Sequence, residues 1–79
     1  MRLDKYLKVS RLIKRRTVAN EACDSGRVFL NGKPARASSP VKVGDIIEIT
    51  FGDRTTRAES LAVEETVRKE NAAQLFKYL

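Results

Sequence analysis

Leu3, Tyr6 and Leu7 recur at the three- and four-residue spacing of one helical stripe, which predicts a short amphipathic helix over residues 3–9. Asp4, Lys5 and Lys8 fall on its opposite, polar side. Ser10-Arg11-Leu12-Ile13 then reads as a connection, and a second helix is expected from about Arg15 to Ser25, burying Val18, Ala19, Ala22 and Cys23. Gly26 is its natural stop, because a glycine just past the last turn enters positive φ without a Cβ clash. On that stripe Cys23 reads as a small core residue rather than a reactive thiol.

From Arg27 the period changes. Val28-Phe29-Leu30, Asn31-Gly32 and Lys33-Pro34-Ala35 have the strand–turn–strand form of a hairpin, since a type I′ turn needs positive φ twice and Asn-Gly supplies it. Pro34 places the second arm at an edge or makes it very short. After a turn at Val43-Gly44-Asp45, the β-branched run Ile46 to Phe51 predicts the central strand, and Gly52-Asp53 turns the chain into a polar strand from Arg54 to about Val63. Ala72, Leu75, Phe76 and Leu79 share helical spacing, so a terminal helix is expected from about Asn71. The fold class is therefore α+β: two N-terminal helices packed on a small, mostly antiparallel sheet, with a short C-terminal helix. Residues 1–63 make one unit, and 64–79 a helical tail packed on it or extending from it.

Composition narrows the chemistry. With 79 residues the chain has room for one small domain and no large catalytic cavity. It has no His and a single Cys, which removes His-based acid–base catalysis, disulfides and cysteine zinc clusters. No apolar run approaches the ~20 residues that span a bilayer, and the N-terminal residues lack the apolar stretch of a signal peptide. These features predict a soluble, cytoplasmic protein without cofactor or metal.

The net charge of +6 is unevenly placed. Residues 1–36 hold ten Lys and Arg against three acids, a balance of +7, whereas residues 37–79 hold six against seven, −1. A contiguous basic segment of this kind suits a polyanion-binding face, the plainer alternative being a solvated surface kept basic for solubility. Lys14-Arg15-Arg16 opens the second helix, where the helix dipole favours anions, and Glu21 and Asp24 sit toward its other end, again against the dipole. A phosphate held by backbone N–H groups and guanidinium forks would compensate. Alternatively, Arg15 and Arg16 are surface residues paired with Asp4 or Glu21. Asp4, the sole acid in the first twenty residues, can combine the two roles by orienting an arginine through a salt bridge while leaving its other donors free. Arg2, Lys5, Lys8 and Arg11 add cations from the first helix and its connection. Tyr6, Phe29 and Phe51 read as core positions, which argues against a single-strand stacking mode.

The segments Arg2-Leu3-Asp4-Lys5-Tyr6-Leu7, Lys14-Arg15-Arg16-Thr17-Val18-Ala19, Gly26-Arg27-Val28-Phe29-Leu30-Asn31-Gly32-Lys33 and Val43-Gly44-Asp45-Ile46-Ile47 together resemble the S-four RNA-binding domain family, over about residues 1–50. Arg15 departs from the pattern, as many members have Ser or Thr at that helix cap. The resemblance implies an αL-type RNA-binding fold within residues 1–63. It also implies that Arg2 and Arg16 touch ribosomal RNA and tRNA backbone, flanked by Lys5, Lys8, Arg11, Lys14 and Arg15. Many relatives carry the domain on an RNA-modifying enzyme or a tRNA synthetase, for which this chain has no length left.

Stand-alone members include the fifteen-kilodalton heat-shock proteins and the Gram-positive ribosome-quality-control P proteins, which bind large ribosomal subunits obstructed by peptidyl-tRNA. Similarity to these implies a monomeric, non-enzymatic factor whose partners are large-subunit ribosomal RNA, peptidyl-tRNA and the quality-control H protein, and which holds the tRNA during alanine tailing. Two alternatives stay open: an RNA-binding accessory subunit of a separate RNA-modifying enzyme, and a heat-shock or ribosome-assembly factor. Membrane binding is disfavoured, because the basic helices lack Trp and a wide apolar face.

Overall fold

The structure is a computed structural model that describes residues 1–64 and 68–79; residues 65–67, part of the expected tail, lie outside the described residues. Helix α1 spans Leu3–Val9 and buries Leu3, Tyr6 and Leu7, as their spacing predicts. Asp4, expected on the polar side, is buried with them at 2% exposure. Helix α2 spans Arg16–Asp24, with Arg15 and Ser25 as its caps rather than its first and last residues. Gly26 follows at φ 81°, in the left-handed region that ends the helix.

Ala19, Ala22 and Cys23 face inward on α2, but Val18 is 39% exposed. At about 100° per residue, Val18 falls on the flank of the stripe centred on those three.

Strand β1, Val28–Leu30, and strand β2, Lys33–Pro34, are joined by Asn31 and Gly32 at φ 53° and 82°, the two positive values a type I′ turn requires. Strands β3, Ile46–Phe51, and β4, Arg54–Ser60, form the longest hairpin. With strand β5, Phe76–Tyr78, all pairings are antiparallel in the order β2-β1-β3-β4-β5, so β3 is central and Pro34 lies on an edge strand, as expected.

The C-terminal end differs from its expected form. A 3₁₀ helix occupies Lys69–Gln74 and stops there, and Phe76–Tyr78 form strand β5 against β4. Leu75 and Phe76 are buried, but Leu79, expected on the apolar edge of a helix, is 58% exposed. The free edge of β4 offers a ladder of unpaired N–H and C=O groups, and pairing with it overrides a helical pattern that spans only residues 72–79.

The helices cover one face of the sheet. Leu3, Tyr6 and Leu7 from α1, Ala19, Ala22 and Cys23 from α2, and Val28, Ile47 and Ile49 from the strands form one buried cluster. The Tyr6 hydroxyl crosses this core and donates to the Leu75 carbonyl at 2.7 Å, tying α1 to the corner that precedes β5.

Candidate nucleic-acid interface

Backbone hydrogen bonds fix the start of α1. Leu3 N–H donates to the Ser39 carbonyl at 2.8 Å, Asp4 N–H to Ala37 at 3.1 Å, and Val41 N–H to Met1 at 2.9 Å. Arg2, extended at φ −66° and ψ 145°, thus becomes the N-cap residue of a helix whose entry is held by the 37–41 segment. Its side chain folds over the first turn to the buried carboxylate of Asp4.

Five donors converge on Asp4. Arg2 Nε and the Lys5 backbone N–H reach Oδ1 at 3.1 and 2.8 Å, while Arg2 Nη2, Arg16 Nε and Asn20 Nδ2 reach Oδ2 at 3.4, 3.4 and 3.2 Å. Burial pushes the Asp4 carboxyl up, but the hydrogen bonds from Asn20, Arg2 and Lys5 and the positive charge of Arg16 outweigh it and hold the group below its ordinary range. The carboxylate therefore stays ionised in a site that would otherwise expel its charge.

The two arginines remain half exposed, with side chains at 51% for Arg2 and 49% for Arg16. Asp4 engages the Nε edge of each guanidinium. Arg2 spends Nη2 as well on Asp4, and its remaining Nη donor and both of Arg16 are not engaged by the carboxylate. The two residues line one cavity of about 440 Å³, whose walls also include Asp4, Thr17 and Asn20. Paired Nη donors match the oxygens of a phosphate.

Of the seven cations singled out in the sequence, the structure brings Arg2 and Arg16 together in this cavity. Lys5 and Lys8 lie half-buried on α1, while Arg11, Lys14 and Arg15 are exposed on the connection and at the α2 cap. Arg16 pairs with Asp4, one of the two acids considered for it, and among the described residues no ion pair joins Arg15 or Arg16 to Glu21. The unfavourable charge pattern of α2 is confirmed, with no acid in its first turn and no base in its last.

Sequence reasoning missed Thr17 and Asn20. Asn20 stands four residues after Arg16, hence on the same helix face, and that spacing was the available signal.

Burial, followed by the charges of Asp4 and Asp24, pushes the Cys23 thiol up to about 11, so the thiolate is scarce at neutral pH. Among the described residues no group of His, Cys, Asp and Glu could hold a metal ion, and no helix is long and apolar enough to cross a membrane.

Known proteins resemble this chain in sequence and in fold. The S4 domain family model matches residues 1–47. A Halalkalibacterium halodurans protein named RQC P-site tRNA stabilizing factor is 55% identical over 76 residues, which is 96% of this chain and 86% of that protein. A Bacillus subtilis protein of the same name is 49% identical, over 100% of this chain and 92% of the relative. The trimeric structure of Vibrio cholerae Heat Shock Protein 15 superposes with a TM-score of 0.91 at 29% identity, covering 100% of this chain and 81% of that one. The chain belongs to the S4 domain family.

Proposed function

We propose that this protein is a non-enzymatic, monomeric, cytoplasmic factor that binds ribosomal RNA and tRNA on the large ribosomal subunit, in quality control of stalled peptidyl-tRNA. It holds the tRNA while the quality-control H protein on the same subunit supports alanine tailing. The observation that carries this reading is the buried Asp4 clamp, which holds Arg2 and Arg16 through their Nε groups on the wall of one cavity. Each guanidinium takes a backbone phosphate, and Lys5, Lys8, Arg11, Lys14 and Arg15 add positive charge around that grip. Phosphate contacts fix position and orientation, and the shape of folded RNA supplies selectivity. The names of the relatives, which specify stabilisation of a P-site tRNA, support the choice of partner.

Co-sedimentation with purified large subunits tests it. Subunits carrying peptidyl-tRNA should retain the protein more tightly than vacant ones. With about five phosphates neutralised, log affinity should fall with log salt at a slope of roughly −3 to −5. Equal retention on both kinds of subunit, or a slope near zero, would contradict the proposal.

A further inference from the structure

The sheet face that carries Val28, Ile47 and Ala58 into the core continues past the helical layer. Phe51 pairs with Arg54, Ile49 with Thr56, and Ala58 with Tyr78, so two-residue alternation places Phe51, Arg54, Thr56 and Tyr78 on that same face. All four are exposed, although Phe51 also borders Val18 and Ala22 of α2. Phe51 is 41% exposed and Tyr78 68%, although the sequence marked Phe51 as a core residue. Between them opens a cavity of about 430 Å³ that reaches Leu12 in the α1–α2 connection. That volume lies within the roughly 300–1,000 Å³ of sites that hold small ligands.

Three features identify the occupant. The Tyr78 ring is braced edge-on against the buried Phe76, with centroids 5.0 Å apart and planes at 86°, so a flat aromatic surface is presented without a further ordering cost. Arg54 has no carboxylate partner among the described residues, and Arg57 engages Glu48 through Nε at 3.3 Å. A groove combining exposed rings with an unpaired guanidinium fits a base and its phosphate better than it fits an apolar protein segment. Leu12, finally, follows Arg11 in the connection between α1 and α2, so one wall of the groove comes from the segment that carries Arg11 and Lys14.

We propose that this groove binds an unpaired nucleotide of single-stranded RNA, its base stacked on Tyr78 and its phosphate on Arg54. It is a second surface, separate from the Arg2–Arg16 cavity, and each can fail without the other.

The test titrates the full chain with hexauridylate and with an abasic strand of the same length and charge. The chain has no Trp, and of its two Tyr only Tyr78 is exposed, so quenching of tyrosine fluorescence reports stacking. Hexauridylate should quench and should bind about tenfold more tightly than the abasic strand, a ratio typical of base–aromatic stacking. Tyr78→Leu should abolish that ratio, Arg54→Gln should weaken both strands, and Arg16→Ala should leave the ratio intact while impairing binding to structured ribosomal RNA. Equal binding of the two strands by the unsubstituted protein would overturn the proposal. So would amide shifts at Phe51, Arg54 and Tyr78 that follow protein concentration without RNA, since these would assign the groove to a second copy of the chain.

Discussion

Arg16 Nε meets Asp4 Oδ2 at 3.4 Å across twelve residues of sequence, an ion pair in which the arginine is half exposed and the carboxylate almost wholly buried. The asymmetry predicts how substitutions separate stability from binding. Arg16→Ala leaves Asp4 its bonds from Arg2, Lys5 and Asn20, and an ion pair this exposed on one side is worth little. The unfolding free energy should therefore change by no more than about 1 kcal/mol. RNA affinity should fall tenfold or more, because a charge-assisted hydrogen bond contributes about 1.5–3 kcal/mol. Arg16→Glu sets a second carboxylate beside Asp4 and should be the less stable variant. Denaturant melts paired with filter-binding titrations check both parts.

Acid should reveal the Asp4 clamp. Its carboxyl lies below the ordinary value of 3.8 in the fold, so the folded state favours the ionised form. The resulting stabilisation is fully present above that ordinary value and is lost as the pH falls through the lowered one. The difference in unfolding free energy between the unsubstituted protein and Asp4→Asn should thus stay constant from pH 7 to about 5 and shrink below about 4. A gap that widens on acidification would contradict the assignment.

Arg11 occupies left-handed backbone at φ 65°, a conformation costing an L-residue about 1–2 kcal/mol. Glycine removes that cost but adds freedom to the unfolded chain. Arg11→Gly should leave stability unchanged or raise it by up to about 1 kcal/mol. If the side chain serves RNA, the same variant should bind ribosomal RNA more weakly, so thermal melts and affinity should move in opposite directions.

Tyr6→Phe removes the 2.7 Å bond to the Leu75 carbonyl. That carbonyl still accepts from Leu61 and Ala62 N–H at 2.7 and 3.2 Å, so no buried acceptor is orphaned and the cost should be about 1 kcal/mol. Hydrogen exchange should accelerate at Leu75 and along β5 more than at β1.

The elements that were legible in the sequence are those whose own residues determine them. The α1 stripe of Leu3, Tyr6 and Leu7, the Asn31-Gly32 turn and the β-branched run from Ile46 each carry their geometry locally. Asp4 was misplaced because a charge between apolar neighbours reads as solvent-facing. Its burial depends on donors from Arg2, Arg16 and Asn20, which meet only once α1 and α2 pack. The C-terminal end was misread because Leu75 and Phe76 suit a helix edge as well as a corner entering a strand, and the choice rests with the edge of β4. The cationic residues were visible, but not which two of them share a cavity, since that follows from a carboxylate turned inward.

The central claim is that a buried carboxylate orients two arginines, and Asp4→Asn tests it most directly. The substitution raises the net positive charge by one, so electrostatics alone predicts tighter RNA binding. Orientation predicts the reverse, because an amide cannot hold both guanidinium edges. At fixed ionic strength and a temperature where circular dichroism shows the variant folded, its affinity for large subunits bearing peptidyl-tRNA should drop at least several-fold. Equal or tighter binding would contradict the account.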